Sequence, residues 1–330
     1  MAVSTGEHWT SRDIPNQAGR RIVLTGANSG IGYYTALELA RNGAQVVMAC
    51  RNLASAQEAA NGIRAEVPNA LLEVAILDLA SLDSVREFSA KLIRDGSVDL
   101  LINNAGVMAP KHRLQTKEGL ELQFGTNVVG HFLLTALVLP ALVRSAERRS
   151  DRPRIVTVAS IAHKRGRLHF EDLQWTKSYS PMRAYQQSKL ANLMLARELD
   201  RRLRRAGEPE SLIMSIAAHP GVANTKLFQV GDHGKVERLI RRGMGRLIGT
   251  LLNSGAEGAL ATLYAAAAAD VQDGGYYGPK GFREMRGVEI ASAEIAPQAR
   301  DQAAAERLWA ECERLGGVTL LQKDSVRVSG

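Results

Sequence analysis

A phenol and a primary amine stand four residues apart in Tyr185-Gln186-Gln187-Ser188-Lys189. On a helix that spacing puts the two side chains on one face, one turn apart. A free tyrosine, with a pKa of about 10, is a poor acid or base at neutral pH. A neighbouring ammonium favours the phenolate and draws that value down, towards the range in which a side chain exchanges protons efficiently at working pH. The chemistry on offer is proton transfer at an oxygen; a plain solvated helix face is the alternative that the pair alone leaves open.

A second constellation is Thr25-Gly26-Ala27-Asn28-Ser29-Gly30-Ile31-Gly32. It follows a short apolar run, Arg21 to Leu24, and precedes a helical pattern through Ile31, Ala36, Leu39 and Ala40 that closes at Asn42-Gly43. At such a strand-to-helix junction glycines let the backbone approach a pyrophosphate, while the helix N-terminus offers free N–H donors and a favourable dipole. The expected contacts are Gly26, Asn28, Ser29, Gly30, Ile31 and Gly32. In an NAD site an acid about 20 residues further on grips the ribose 2′-hydroxyl. Here the region reads Met48-Ala49-Cys50-Arg51-Asn52. A guanidinium suits a 2′-phosphate, so Arg51 favours NADP(H) and leaves NAD(H) open. Asp78 and Leu79, after the third strand candidate, are placed to contact the adenine, or else Asp78 is a turn or capping residue.

The elements that must position these groups follow from hydrophobic patterning. Strand candidates recur at Gln45–Ala49, Leu71–Leu77, Val98–Ile102, Arg154–Val158 and Ser211–Ala217. Helical segments fill the gaps at Ala54–Glu66, Leu82–Asp95, Gly119–Ser145 and Met182–Arg205, and another starts at Ser254. Strands rich in Val, Ile and Leu without polar alternation, separated by helices, imply a parallel sheet covered on both faces. The fold class is α/β: a single doubly wound, Rossmann-type domain over residues 19–330 with about seven strands. Residues 1–18 read as a polar N-terminal arm, 223–252 as a substrate lid, and 281–330 as a C-terminal extension.

With 45% hydrophobic residues the 330-residue chain has ample material for a core. Two cysteines, Cys50 and Cys312, and the lack of a secretory leader pattern point to a reducing, cytoplasmic setting. The apolar run from His131 to Val143 is too short to cross a bilayer and reads as a buried or interface helix, and no membrane anchor is expected. The net charge of +8 gathers in Arg201–Arg205 and Lys235–Arg246. These runs read as solvated helix faces rather than nucleic-acid contacts, because no stacking aromatics are interleaved with them. The seven histidines lack ligand-like spacing, so no metal is expected.

The glycine turn, Asn103-Asn104-Ala105-Gly106 after the fourth strand, Ser160 after the fifth, and Tyr185 with Lys189 together resemble the short-chain dehydrogenase/reductase family over roughly residues 20 to 280. The resemblance implies a catalytic tetrad of Asn127, Ser160, Tyr185 and Lys189. Tyr185 would exchange a proton with a carbonyl or alcohol oxygen while hydride passes to or from nicotinamide, and Ser160 would stabilise charge on that oxygen. Lys189 would bind the nicotinamide ribose and depress the pKa of Tyr185, and Asn127 would hold a relay water. Asn104, Ala105 and Gly106 would line the adenosine side; Pro220, Gly221, Val222 and Thr225 would sit by the nicotinamide. One departure is Ala159, where many relatives have a second serine.

More narrowly, Ser160-Ile161-Ala162-His163, Gly275-Tyr276-Tyr277-Gly278-Pro279 and a tail with Leu308 and Trp309 resemble the branch of retinol dehydrogenases, WW-domain oxidoreductases and protochlorophyllide reductase-like proteins. The insertion from Ala162 to Met182 would lay His169, Phe170, Trp175 and Tyr179 over the substrate mouth. An apolar lid with Leu227, Phe228, Val230, Leu239, Ile240, Met244, Leu247 and Ile248 suits a small hydrophobic aldehyde, ketone or alcohol. A homodimer or homotetramer paired through the helices at 119–145 and 182–205 is a further expectation. Rival readings are a nucleotide-binding redox sensor that docks a partner and a reductase of a pigment double bond.

Overall fold

In a computed structural model, which describes residues 9–222 and 253–321, the strand–helix alternation takes shape as one sheet between two helical layers. The strands are β1 (Arg21–Thr25), β2 (Gln45–Cys50), β3 (Leu71–Ile76), β4 (Leu100–Asn103), β5 (Arg154–Val158), β6 (Met214–Ala218), β7 (Tyr276–Pro279) and β8 (Ile290–Ser292). They lie in the order β3-β2-β1-β4-β5-β6-β7-β8. All neighbours run parallel except β7 and β8, which pair antiparallel. β1 and β4 are buried at every position because both faces are covered, which explains their lack of polar alternation.

One face carries α1 (Gly30–Arg41), α2 (Leu53–Glu66) and α6 (Gly255–Ala267); its core includes Ile22, Leu24, Leu39, Met48 and Ile63. The other carries α3 (Leu82–Arg94), α4 (Leu122–Arg148), α5 (Pro181–Ala206) and α7 (Gln302–Gly316), packed around Leu101, Phe124, Leu133, Leu193 and Trp309. Local chemistry sets several starts: Asn52, Ser81, Ser254 and Asp301 each cap a helix by accepting a backbone N–H.

Several boundaries differ from the sequence reading for identifiable reasons. The helix expected from Gly119 starts at Leu122, because Gly119 sits at φ +81° and the Glu121 carboxylate caps Gln123 and Phe124. The strand expected from Ser211 starts at Met214, after a 3-10 turn over Glu210–Leu212. An eighth strand, only three residues long, lies within the expected C-terminal extension. The N-terminal segment is not a free arm over its described part: Trp9 meets Tyr264 edge-on at 5.3 Å, and Ile14 is buried.

α4 continues well past the apolar run that sequence picked out. Among the described residues it is the one helix long and apolar enough to cross a membrane, and 78% of its most apolar window is buried inside the protein. Its second turn, Gly125–Gly130, is a π-helix, a geometry that often marks functional positions. Cβ atoms on Gly125 and Gly130 would come within 2.3 Å of Thr116 Cγ2 and 2.4 Å of the Leu79 carbonyl, so glycine lets this turn press against both. The Arg201–Arg205 run is answered by its own fold: Glu198 pairs with Arg201 and Arg202, Glu306 with Arg201, and Asp200 with Arg204. The second basic run and the expected lid lie outside the described residues.

α7 is anchored by Trp309, which is 1% exposed, packs edge-on against Phe132 at 5.0 Å, and carries the Arg202 guanidinium over its face at 4.3 Å. Truncating so large a buried ring leaves a cavity. Trp309→Ala is therefore expected to destabilise the fold by about 3–5 kcal/mol, read as a lower urea midpoint at unchanged slope; a loss under about 1 kcal/mol would show that α7 is dispensable to the core.

Candidate active site

At the carboxyl ends of the strands, where the order turns back between β1 and β4, a groove of about 680 Å³ opens. Open α/β sheets bind ligands at this switch point. Gly26, Asn28, Ser29, Gly30, Ile31 and Gly32 form one wall, Arg51, Asp78 and Leu79 the next, and Asn104, Ala105 and Gly106 the floor. Ser160, Tyr185, Lys189, Pro220, Gly221 and Val222 close the far end. Thr225 lies outside the described residues.

The glycine wall fits a pyrophosphate. Ser29 makes no side-chain cap on α1, which leaves the first-turn N–H groups without a side-chain partner. Gly26 and Gly30 adopt φ +69° and +53°, and a Cβ on Gly32 would stand 2.1 Å from the Gly26 carbonyl. Arg51 is exposed at the end of β2, where no acid is present. Asp78 is both a groove residue and a turn residue, since its carboxylate accepts the Ala80 N–H at 3.0 Å.

The hydroxyl of Thr25 ties this wall to the floor. It accepts the N–H groups of Asn104 and Ala105, both at 2.9 Å, while the Asn104 amide donates back to the Thr25 carbonyl at 2.8 Å. Thr25 Oγ1 also meets His131 Nε2 at 2.9 Å, and His131 Nδ1 meets the Asn127 carbonyl at 3.1 Å. A carbonyl only accepts, so His131 carries its proton on Nδ1 and takes the Thr25 proton at Nε2. Burial pushes His131 down to about 4, and it stays neutral at physiological pH.

At the far end of the groove, the Tyr185 phenol and the Ser160 side chain lie side by side, and Ser160 partly offsets the effect of burial on the phenol. Ser160 Oγ accepts the Ala162 N–H at 3.1 Å, the cap of a 3-10 turn over Ile161–Arg165. Lys189 Nζ donates to the Val158 carbonyl at 2.9 Å and lies 5.9 Å from the centre of the Tyr185 ring. The amine thus sits over the ring face and is aimed at β5. This corrects the expectation that Lys189 pulls the phenol down: burial dominates, pushing Tyr185 up to about 12, with Ser160 opposing it, and Lys189 down to about 8.

Asn127 is a second correction. It is wholly buried behind the groove, and its side chain is spent on structure: Nδ2 donates to the Val107 carbonyl and to Ser188 Oγ, both at 3.0 Å, and Oδ1 accepts the Val107 N–H at 2.8 Å. Ser188 in turn donates to the Tyr185 carbonyl at 2.8 Å. Asn127 therefore braces the floor against α5, and no side-chain donor is left over for a relay water. Asn103 likewise points away, to Thr135 at 3.0 Å.

The aromatic insertion also turns inward. Trp175 is 6% exposed, His169 packs against it at 4.9 Å, and Tyr179 bonds the Pro110 carbonyl at 3.3 Å. Phe170 lies beneath the Arg307 guanidinium at 4.2 Å. None of these four lines the groove; Ile161, Ala162, Met182 and Met285 give its mouth an apolar surface, with Lys164, Arg165 and Arg283 beside them. Sequence patterning missed Arg283 and Met285, which no periodicity marks; they enter through a turn in which Arg283 and Glu284 adopt φ +50° and +58°. It also missed that Cys50 lines the cofactor wall, where burial pushes its thiol up to about 11. Cys312 is buried on the inner face of α7, and its thiol is pushed up as well.

Comparison with known proteins matches this geometry. The family model described as "short chain dehydrogenase" matches residues 20–235. Human retinol dehydrogenase 13 is 41% identical over 334 aligned positions, covering 99% of this chain and 93% of its own length. Mouse polyprenol dehydrogenase is 43% identical over 306, covering 92% and 86%. The crystal structure of an uncharacterised protein from Mycobacterium paratuberculosis superposes with a TM-score of 0.76 at 38% identity, covering 96% of this chain and all of that one.

Removing the Thr25 hydroxyl tests the tie between wall and floor. Thr25→Val keeps the shape but strands two part-buried N–H groups and the buried Nε2 of His131, and an unsatisfied buried group costs about 1–3 kcal/mol. The variant is expected to lose about 2–5 kcal/mol in urea unfolding, with faster amide exchange at Asn104 and Ala105; unchanged exchange there would dismiss the tie.

Proposed function

Because this chain belongs to the short-chain dehydrogenase family and is an NAD(P)-dependent oxidoreductase acting on CH–OH or C=O groups, we propose that it interconverts a hydrophobic aldehyde or ketone and its alcohol with NADP(H). The observation that carries this reading is the convergence of Ser160, Tyr185 and Lys189 at one end of a groove whose other end fits a dinucleotide. Support for an apolar substrate comes from Ile161, Ala162, Met182 and Met285 at the mouth. The names of the relatives point the same way, since retinol and polyprenol are long apolar alcohols. Arg51 and the missing acid at the end of β2 support NADP(H) over NAD(H).

When bound, the nicotinamide supplies or receives the hydride. The chain's own residues handle the oxygen. In the reductive direction Ser160 donates to the carbonyl oxygen and stabilises the charge that builds there. Tyr185, protonated across the physiological range, delivers its proton to that oxygen. The phenolate left behind is buried, and the ammonium of Lys189 over the ring is the charge that offsets it. Both buried groups sit nearer their neutral forms than free side chains do, so the phenol is poised as a donor.

A panel of retinal, medium-chain aldehydes and ketones, assayed with NADPH and NADH, tests the reading, and turnover of none would overturn it. Tyr185→Phe is expected to lower kcat by about 10²–10⁴-fold. For reduction, the required forms are a neutral phenol, retained up to about 12, and a charged amine, lost above about 8. The value of kcat/KM for reduction should therefore be flat at low pH and decline as the pH rises through about 8; a rise there would reverse the roles.

Arg51→Ala tests the cofactor preference separately. A charge-assisted hydrogen bond contributes about 1.5–3 kcal/mol, so affinity for NADPH is expected to fall about 10–100-fold and that for NADH by less than about twofold. Equal losses for both would remove Arg51 from the 2′-phosphate.

A further inference from the structure

Behind Ser160 and the Pro220–Val222 turn lie two buried histidines that the reaction described above does not use. His163 is wholly buried three residues after Ser160, and its Nδ1 lies 2.7 Å from the Ser160 carbonyl. Its Nε2 accepts the Ala296 N–H at 3.3 Å. A ring nitrogen that accepts from an amide carries no hydrogen, so the proton of the neutral ring is on Nδ1, donated to Ser160. His219 has the opposite arrangement. It is also wholly buried; Nδ1 accepts the Gly221 N–H at 3.2 Å, which puts the proton on Nε2, 3.4 Å from Glu284 Oε2.

Tyr276 of β7 stands between them. Its ring centre is 5.4 Å from that of His163 and 5.2 Å from that of His219, and its hydroxyl lies 3.3 Å from His163 Nδ1. Opposite His219 only glycine fits, since a Cβ on Gly278 would stand 1.9 Å from Nε2. Glu284 is brought in by its left-handed backbone, φ +58°, and is held by Lys164 at 3.1 Å and the Glu294 N–H at 2.7 Å. Burial alone would raise this carboxyl, but the bonds from His219, Glu294 and Lys164 outweigh it and hold it near 2.

We propose that His163 and His219 are positioning residues, neutral rings of opposite tautomer that key the Ser160 loop and the Pro220–Val222 turn to the same strand, β7. The proposal rests on Ser160 and Tyr185 being the reacting pair. Neither ring lines the groove, so neither touches substrate or nicotinamide. Protonating His163 would set a second N–H against Ala296, and protonating His219 would set one against Gly221. The groups facing His163 are Tyr276, His219, Lys164 and Glu284; those facing His219 are Tyr276, His163, Glu284 and Lys164. Burial is the main force keeping both rings neutral, and Lys164 adds to it; Glu284 opposes. The Ser160 backbone is thus fixed at its carbonyl by His163, while its hydroxyl is fixed by the Ala162 N–H. A shift of about 1 Å in such a group lowers rate about 10²-fold.

Asparagine and glutamine separate the two ring positions, because the Asn amide reaches the place of Nδ1 and the Gln amide that of Nε2. His163→Gln is expected to lower kcat by about 10²-fold on the best substrate of the panel, with KM and the Kd for NADPH within about twofold; His163→Asn should recover most of the loss. His219→Gln is expected to weaken NADPH by about tenfold, roughly one lost hydrogen bond, with kcat at saturating NADPH little changed; His219→Asn should restore the affinity. Imidazole nitrogen-15 NMR of the whole chain should find His163 as the Nδ1–H and His219 as the Nε2–H tautomer, both unchanged from about pH 6 to 8. Variants that lower only the melting temperature, asparagine variants that fail to rescue, or an imidazolium at pH 6 would each overturn the proposal. A wild type inactive on the whole panel would instead fell the oxidoreductase reading and this proposal with it, whereas an active wild type with unmoved variants sinks the proposal alone.

Discussion

The hydroxyl of Thr25 is the point through which the two halves of the site are held in register. A threonine oxygen can accept twice and donate once; here it accepts from Asn104 and Ala105, and His131 Nε2 at 2.9 Å and the Ile102 carbonyl at 3.3 Å share the donor side. From there the imidazole carries the connection to the Asn127 carbonyl in the π-helical turn of α4. The end of β1, the floor after β4 and the wide turn of α4 therefore share one buried hydrogen-bonded line. Its inner members, Thr25, His131 and Asn127, are buried, so breaking one leaves its neighbours unsatisfied rather than returned to solvent. Asn127 extends it to Val107 and Ser188, and Ser188 to the backbone of Tyr185. The glycine wall and Tyr185 are thus positioned by the same network.

Burial is the second theme. It dominates the protonation of the buried groups around the site: Tyr185 is pushed up, Lys189, His131, His163 and His219 down. The phenol and the three imidazoles are thereby kept uncharged, while Lys189 loses its charge only above about 8. Glu284 goes the other way, a carboxylate held charged at the edge of the site by Lys164 and the Glu294 N–H. Such an interior stabilises developing charge strongly because few competing dipoles need to reorient.

Much of this was legible in the sequence where the physics is local. The Val- and Ile-rich runs gave strands because parallel strands are buried on both faces, and the glycine turn was recognisable because its backbone geometry excludes side chains at Gly26 and Gly32. Tyr185, Ser160 and Lys189 converge as the motif order implied. What sequence could not supply was direction. Asn127 turns its amide into the protein rather than into the groove, and Trp175 and Tyr179 fold down instead of covering the mouth. Lys189 aims at a carbonyl, so its effect on the phenol cannot be inferred from spacing on a helix face. β8 is three residues long, too short to carry a periodic signal, and the left-handed Arg283 and Glu284 occupy a conformation that their residue types do not favour. The histidine pair was visible as letters but not as partners, because Ala296 and Glu284 reach it across more than sixty residues of chain.

The placement of Cys50 bears on an oxidoreductase acting on CH–OH or C=O groups. Carbonyl compounds, and unsaturated ones above all, are electrophiles that modify proteins through thiolates rather than thiols. Cys50 lies in the wall of the groove, yet burial pushes its thiol up to about 11, far from the thiolate form at neutral pH, and Cys312 is buried on the inner face of α7. A groove open to a carbonyl group therefore presents it with a sulfur held in its unreactive form.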